Sequence, residues 1–151
     1  MSTKVKDAVE FATKAHRGQT YGSKPYIYHL AKVFDNVKRF GGNESQQIAA
    51  WLHDVIEDTP LTKMDISKAF GPDVAHIVDL VSNKGSVKDT YKRINRNRDA
   101  VFVKLCDRLA NVSEGAKNDK YRQLQPMFKS VLYRKGEFEN LWNAIDRKLG
   151  L

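Results

Sequence analysis

Between His53 and Asp58 the chain reads His-Asp-Val-Ile-Glu-Asp, one imidazole and three carboxylates in six residues. On a helix, His53 and Glu57 stand one turn apart, as do Asp54 and Asp58, while Asp54 and Glu57 are three apart. These proton-active groups therefore share one side, and Leu52, Val55 and Ile56 fill the other. Thr59-Pro60 ends the run, which places the acids in a last turn where the helix already carries partial negative charge. A bound cation would relieve that repulsion. The plainer alternative is an ordinary polar helix end, and it leaves three acids where electrostatics disfavours them.

Neighbouring helical side chains diverge by about 100°. His53 and Asp54 can share one ion only if it sits beside their helix and other elements complete its shell. Two residues are candidates. His29 opens a helix in Pro25-Tyr26-Ile27-Tyr28-His29, and Asp107 is an acid inside the apolar stretch Phe102 to Leu109. An acid so flanked is expected to be partly buried and to need a partner. Lys104 or Arg108 could provide a salt bridge; a metal is the other possibility.

The elements that must position these residues read almost entirely as helix. Apolar residues recur at helical spacing from Val5 to His16, and a polar, turn-forming loop follows from Gly18 to Pro25. Helices are expected from about Tyr28 to Phe40, and from an Asn43 cap, with Gln46 completing a capping box, to Thr59. Thr62 and Asp65 form a second capping box before a short helix ending at Gly71. Pro72 opens a helix through about Val81, and Ser82 to Ser86 is a loop. A basic helix near Lys88 to Asn95 precedes the Asp107 helix from Asp99 to about Val112. Two more, near Lys120 to Arg134 and Phe138 to Leu149, finish the chain. No run alternates with period two, so the expected fold is all-α: one bundle of eight or so helices, residues 1–151 forming a single domain.

With 151 residues the chain fits one core of useful size. No apolar run approaches the length needed to span a bilayer, and the first residues lack a signal-peptide pattern, so a cytoplasmic location and no membrane partner are expected. The single cysteine, Cys106, lies in an apolar run and reads as a small core residue. His16 reads as a structural helix-end histidine, His76 as packed or surface, and Trp51 and Trp142 as core aromatics. The net charge of +8 points toward polyanionic partners without choosing among them. From Lys84 to Lys104 seven basic residues face two acidic ones, which for any single lysine is an ordinary solvated surface.

His29, His53-Asp54 and the distant Asp107 resemble the H…HD…D pattern of HD-domain phosphohydrolases. The likeness narrows to the hydrolase domain of RelA/SpoT-type enzymes and the stand-alone small alarmone hydrolases. It is carried by Ala15-His16-Arg17-Gly18-Gln19, Pro25 to His29, Leu52 to Pro60, Phe70-Gly71-Pro72-Asp73-Val74 and Val103 to Asn111, in that order. The resemblance implies a 3′-pyrophosphohydrolase acting on guanosine tetra- and pentaphosphate with Mn²⁺, Zn²⁺ or Fe²⁺ also suiting such a mixed nitrogen and oxygen site. It implies that His29, His53, Asp54 and Asp107 hold the ion, that Glu57 and Asp58 are the catalytic acidic pair, and that Asn111 contacts substrate. Lys104 and Arg108 could neutralise phosphate or only bridge the acidic cluster. The chain departs from the pattern after Gln19. Where the family leads one to expect an Arg or Lys against the guanine stands Thr20-Tyr21-Gly22-Ser23-Lys24, in a loop a residue shorter. Tyr21 could stack on a base there, and Lys24 or Arg17 could restore the charge.

That departure keeps a second reading open: the same machinery acting on another phosphorylated nucleotide, such as an adenine alarmone, a nucleoside mono- or triphosphate, a cyclic nucleotide or NADPH. A third is a basic helical module that binds nucleotide or nucleic acid with an inactive site. Only the charge supports nucleic acid as a partner, because no recognised nucleic-acid-binding motif is present.

Overall fold

The computed structural model describes residues 1–151 as ten helical segments and one two-stranded ladder. In chain order these are α1 (Thr3–Ala15), β1 (Thr20–Tyr21), β2 (Lys24–Pro25), α2 (Tyr26–Arg39), α3 (Glu44–Leu52) and the single turn α4 (Val55–Asp58). There follow α5 (Lys63–Phe70), α6 (Pro72–Val81), α7 (Val87–Ile94), α8 (Arg98–Glu114), α9 (Asn118–Leu132) and α10 (Glu139–Leu149). The fold is all-α. Local chemistry sets many of the boundaries. Ser2, Asn43, Thr62, Ser86 and Asn97 each accept a backbone N–H at a helix start, and Asn43/Gln46 and Thr62/Asp65 close full capping boxes.

α8 is the axis of the molecule. From Ala100 to Ala110 only Lys104 escapes full burial, so this helix is enclosed on nearly every side. α2 packs along it with the stripe Leu30, Val33, Phe34 and Val37, and α3, α6 and α10 close around it. α3 also rests on α1 and α2, so α2, α3 and α8 meet in one triangle.

Two local expectations are corrected. The loop after α1 contains a short antiparallel ladder that pairs Thr20 with Pro25 and Tyr21 with Lys24. Gly22 at its tip takes φ +61°, a left-handed conformation that glycine adopts without strain, and two residues per strand are too few to show alternation in sequence. The second correction is larger. The helix expected to run from Asn43 to Thr59 is broken at His53-Asp54. Asp54 leaves helical geometry at φ −102°, ψ 1°, and α4 restarts as one turn. Glu57 and Asp58 therefore do not sit at the end of a long helix, and the dipole argument for a counterion loses its footing.

Candidate metal centre

The break is what lets neighbouring residues converge. With helical spacing abandoned at Asp54, its Oδ2 lies 3.0 Å from His53 Nε2. His29, in the first turn of α2, and Asp107, midway along α8, bring Nε2 and Oδ1 to 3.0 Å from each other. Across the group His53 Nε2 is 3.3 Å from Asp107 Oδ1, and His29 Nε2 is 3.9 Å from Asp54 Oδ2. Two imidazoles and two carboxylates thus point at one another between α2, the α3–α4 junction and α8. His29, His53 and Asp107 are buried, and Asp54 is partly so.

Hydrogen bonding tests whether this donor set suits a cation. His53 Nδ1 donates to the Ala50 carbonyl at 2.7 Å, so in the neutral ring Nε2 carries a lone pair. That buried atom has no hydrogen-bond donor facing it, only carboxylate oxygens. Lone pairs packed against lone pairs require a positive charge between them, either a proton or a metal ion. Burial alone would lower the His53 pKa, but Asp54 and Asp107 outweigh it and hold the ring well above its ordinary 6.5. Burial likewise pushes Asp107 up, yet Lys104 and His53 prevail and leave it well below the carboxylate range. His29, His53 and Asp107 form a group that could hold a metal ion, and Asp54, which also groups with Glu57 and Asp58, adds a carboxylate oxygen 3.0 Å from His53 Nε2.

Asp107 divides its oxygens. Oδ1 faces the histidines and accepts from Asn111 Nδ2 at 3.3 Å, while Oδ2 takes the Lys104 ammonium at 3.1 Å. The salt bridge and the candidate metal cluster coexist on one residue. Burial would lower the Lys104 pKa, but Asp107 raises it further, so this lysine stays charged. Arg108, one residue on, makes no salt bridge. It is buried, donates from Nη2 to the Tyr91 hydroxyl at 2.9 Å, and lies 4.0 Å from the Phe128 ring centroid, with Nε and Nη1 unpaired. It lines the metal-centre cavity, a space of about 340 Å³, together with Lys104, Lys117 and Lys120. One end of this cavity is therefore acidic and imidazole-rich, and other parts of its wall are cationic.

Glu57 and Asp58 bring carboxylate oxygens within 4.8 Å of each other and of Asp54, but only Glu57 faces the cavity. Glu57 lines the cavity and accepts from Asn83 twice, from the backbone N–H at 2.8 Å and from Nδ2 at 3.2 Å. Asp58 lies outside that lining, with Oδ2 3.5 Å from the Tyr26 hydroxyl. Burial and the charges of Asp54 and Glu57 raise its pKa. Of the expected substrate residues, Tyr21, Lys104, Arg108 and Asn111 line the cavity. Lys24 lines a neighbouring cavity instead, its ammonium 4.4 Å from the Tyr28 ring centroid. Arg17 lines neither. α1 has ended at Ala15, and Arg17 sits exposed in the turn that reverses the chain at Gly18.

Tyr26, part of the Pro25 to His29 stretch, adds a contact that the sequence does not single out. Its hydroxyl donates to Asp54 Oδ2 at 2.5 Å and its ring stacks on His16 with centroids 4.8 Å apart. Its place three residues before His29, on the same face of α2, was the available signal. His16 has the structural role expected of it. It is buried, its Nδ1 lies 2.8 Å from Gln19 Oε1, and Gln19 donates onward to the Asp58 carbonyl. Trp51, Trp142 and Cys106 are core residues, and His76 is exposed.

A helical domain centred on buried histidine and aspartate donors is the class this geometry defines. The HD-domain family model matches residues 8–100, and the chain belongs to that family. Among similar proteins is the guanosine-3′,5′-bis(diphosphate) 3′-pyrophosphohydrolase of Haemophilus influenzae, 35% identical over 67% of this chain but only 17% of its own length. The Drosophila melanogaster enzyme of that description, MESH1, is 31% identical over 75% of this chain and 70% of its own. A solved structure described as a metazoan ortholog of SpoT that hydrolyzes ppGpp superposes with a TM-score of 0.82. That pair shares 24% identity over 99% of this chain and 96% of the other, a likeness of fold. No helix is long and apolar enough to cross a membrane.

Proposed function

We propose that this protein is a metal-dependent phosphohydrolase that converts guanosine tetra- or pentaphosphate and water to GDP or GTP and pyrophosphate, with Mn²⁺ in the site and residues 1–151 acting as one domain. The observation that carries the reading is the cluster of His29, His53, Asp54 and Asp107 donors, with His53 Nε2 buried among carboxylate oxygens. The names of the relatives supply the substrate. When bound, the ion would lower the pKa of a water molecule and polarise a phosphoryl oxygen. Glu57 would take that water's proton, since it is the member of the acidic pair that lines the cavity. The water oxygen joins phosphorus, the bond from phosphorus to the ribose 3′ oxygen breaks, and the 3′ oxygen takes up a proton. Lys104 and Arg108 would neutralise the phosphoryl charge from the cavity wall. Asp58 and Tyr26 would hold Asp54 and the α4 turn in place.

Anion-exchange chromatography of reactions with ppGpp, Mn²⁺ and a panel of ordinary nucleotides tests this directly. The expected result is GDP and pyrophosphate from wild type and none from Asp54→Ala. Full activity in Asp54→Ala would remove the metal assignment. Faster turnover of another nucleotide would keep the chemistry and move the substrate. Tyr21 favours that second reading, because in place of an exposed cation the chain has a tyrosine hydrogen-bonded to Asn111.

A further inference from the structure

The two imidazoles of the cluster are held in different ways. His53 is fixed from behind by its Nδ1 hydrogen bond to the Ala50 carbonyl. The hydrogen bond of the His29 ring lies on the ligand side, between Nε2 and Asp107 Oδ1. A metal-ligating histidine ordinarily has its second nitrogen secured by an outer partner that fixes the ring plane. At His29 the Tyr21 ring does this by contact: the two rings are stacked at 9°, with centroids 4.5 Å apart. The same tyrosine reaches Asp107. Its hydroxyl donates to Asn111 Oδ1 at 2.8 Å, and Asn111 Nδ2 donates to Asp107 Oδ1 at 3.3 Å. Both ends of the Asn111 amide are thereby committed, and one side chain from β1 restrains two candidate ligands on two helices.

We infer that Tyr21 is a positioning residue for the metal centre, fixing the His29 ring by stacking and the Asp107 carboxylate through the Asn111 amide. The inference rests on the metal reading above. It assigns the hairpin's departure from the family pattern to ordering the ligands rather than to packing on a base. The parts are separable, because Phe at position 21 keeps the stacked ring and loses only the hydroxyl.

The test is titration of metal-free protein with Mn²⁺, followed by calorimetry, for wild type, Tyr21→Phe, Tyr21→Ala, Asn111→Ala and the Tyr21→Phe/Asn111→Ala pair. Tyr21→Ala is expected to weaken binding about 10- to 100-fold, the range for outer-shell partners of metal ligands. Tyr21→Phe should lose only part of that, and the double variant should bind no more weakly than Asn111→Ala alone. In parallel, the Tyr21 contribution to the ring-current shift of the His29 ring protons should persist in Tyr21→Phe and be lost in Tyr21→Ala, leaving only the smaller effects of Tyr26 and His53. Wild-type affinity in Tyr21→Ala, even with a lowered melting temperature, would overturn the inference and leave the tyrosine a merely structural hairpin residue. Full additivity in the double variant would overturn the path through Asn111. A wild-type protein that binds no divalent ion would overturn the metal reading and this one together, whereas variants equal to a metal-binding wild type overturn this one alone.

Discussion

The donors of the candidate metal centre and the acidic pair beside it are built on different foundations. His29 and Asp107 stand on α2 and α8, two long helices packed along each other, and His53 caps α3 in the same core. Glu57 and Asp58 occupy a single turn, α4, tied down by Asn83 from a loop, by Gln19 beside the hairpin and by Tyr26 at the start of α2. The first region is ordered by close packing, which transmits strain and admits few alternatives. The second is exposed and held by individual hydrogen bonds. Groups that must hold a charge permanently belong on the first kind of support. A group that must accept and release a proton in each cycle can stand on the second.

The contrast yields four expectations. The largest effect is that of Asp107→Ala, which removes a donor and the carboxylate partner of Lys104. Metal binding should be lost, and turnover should fall at least about a thousand-fold, as the several kcal/mol supplied by a metal ion imply. Normal Mn²⁺ uptake by that variant would break the assignment of the packed region. Glu57→Gln should lower turnover about 10²- to 10⁴-fold while metal affinity and melting temperature stay at wild-type values. A parallel loss of metal affinity would erase the distinction between the two regions.

The third expectation concerns pH. His53, held above 6.5, stabilises the metal-free fold fully below about pH 6.5, and this contribution is lost as pH rises through its folded value. Asp54 and Asp107, held below 3.8, contribute above about pH 4 and lose that contribution as pH falls. Metal-free protein should therefore melt highest between about pH 4 and 6.5 and decline on the alkaline side. Protein saturated with a divalent ion, which takes the place of the His53 proton, should not share that alkaline decline. Scanning calorimetry with and without metal checks this, and parallel alkaline limbs would count against the exchange of proton for metal. The smallest effect is expected at Arg17, which is exposed and outside both cavities. Arg17→Ala should change stability by less than about 0.5 kcal/mol and kcat/KM by about twofold or less. A tenfold rise in KM would bring the turn after α1 back into the substrate site.

Much of the fold was legible because its signals are local. Asn43 with Gln46 and Thr62 with Asp65 mark helix starts through contacts three residues apart, and the stripe from Leu30 to Val37 marks a buried face. The candidate donors were legible because an acid inside an apolar helix, as at Asp107, and a His-Asp pair beside more acids are chemically costly without a partner. The placement of Arg17 is not legible in the sequence, because charge there carries no direction. The role of Tyr26 is not legible, because an aromatic residue at helical spacing reads the same whether it fills a core or donates to Asp54.

By itself the sequence determined the helical class, the caps, the buried stripe and the small set of residues able to hold a cation. The break at His53-Asp54, the placement of Glu57 but not Asp58 on the cavity wall, the exposure of Arg17 and the stacking of Tyr21 on His29 were decided only by the tertiary structure. The physical reason is range. Propensity and periodicity act over a few residues. The Tyr21–Asn111 bond, by contrast, joins positions 90 residues apart, and such contacts form only once the helices between them have packed.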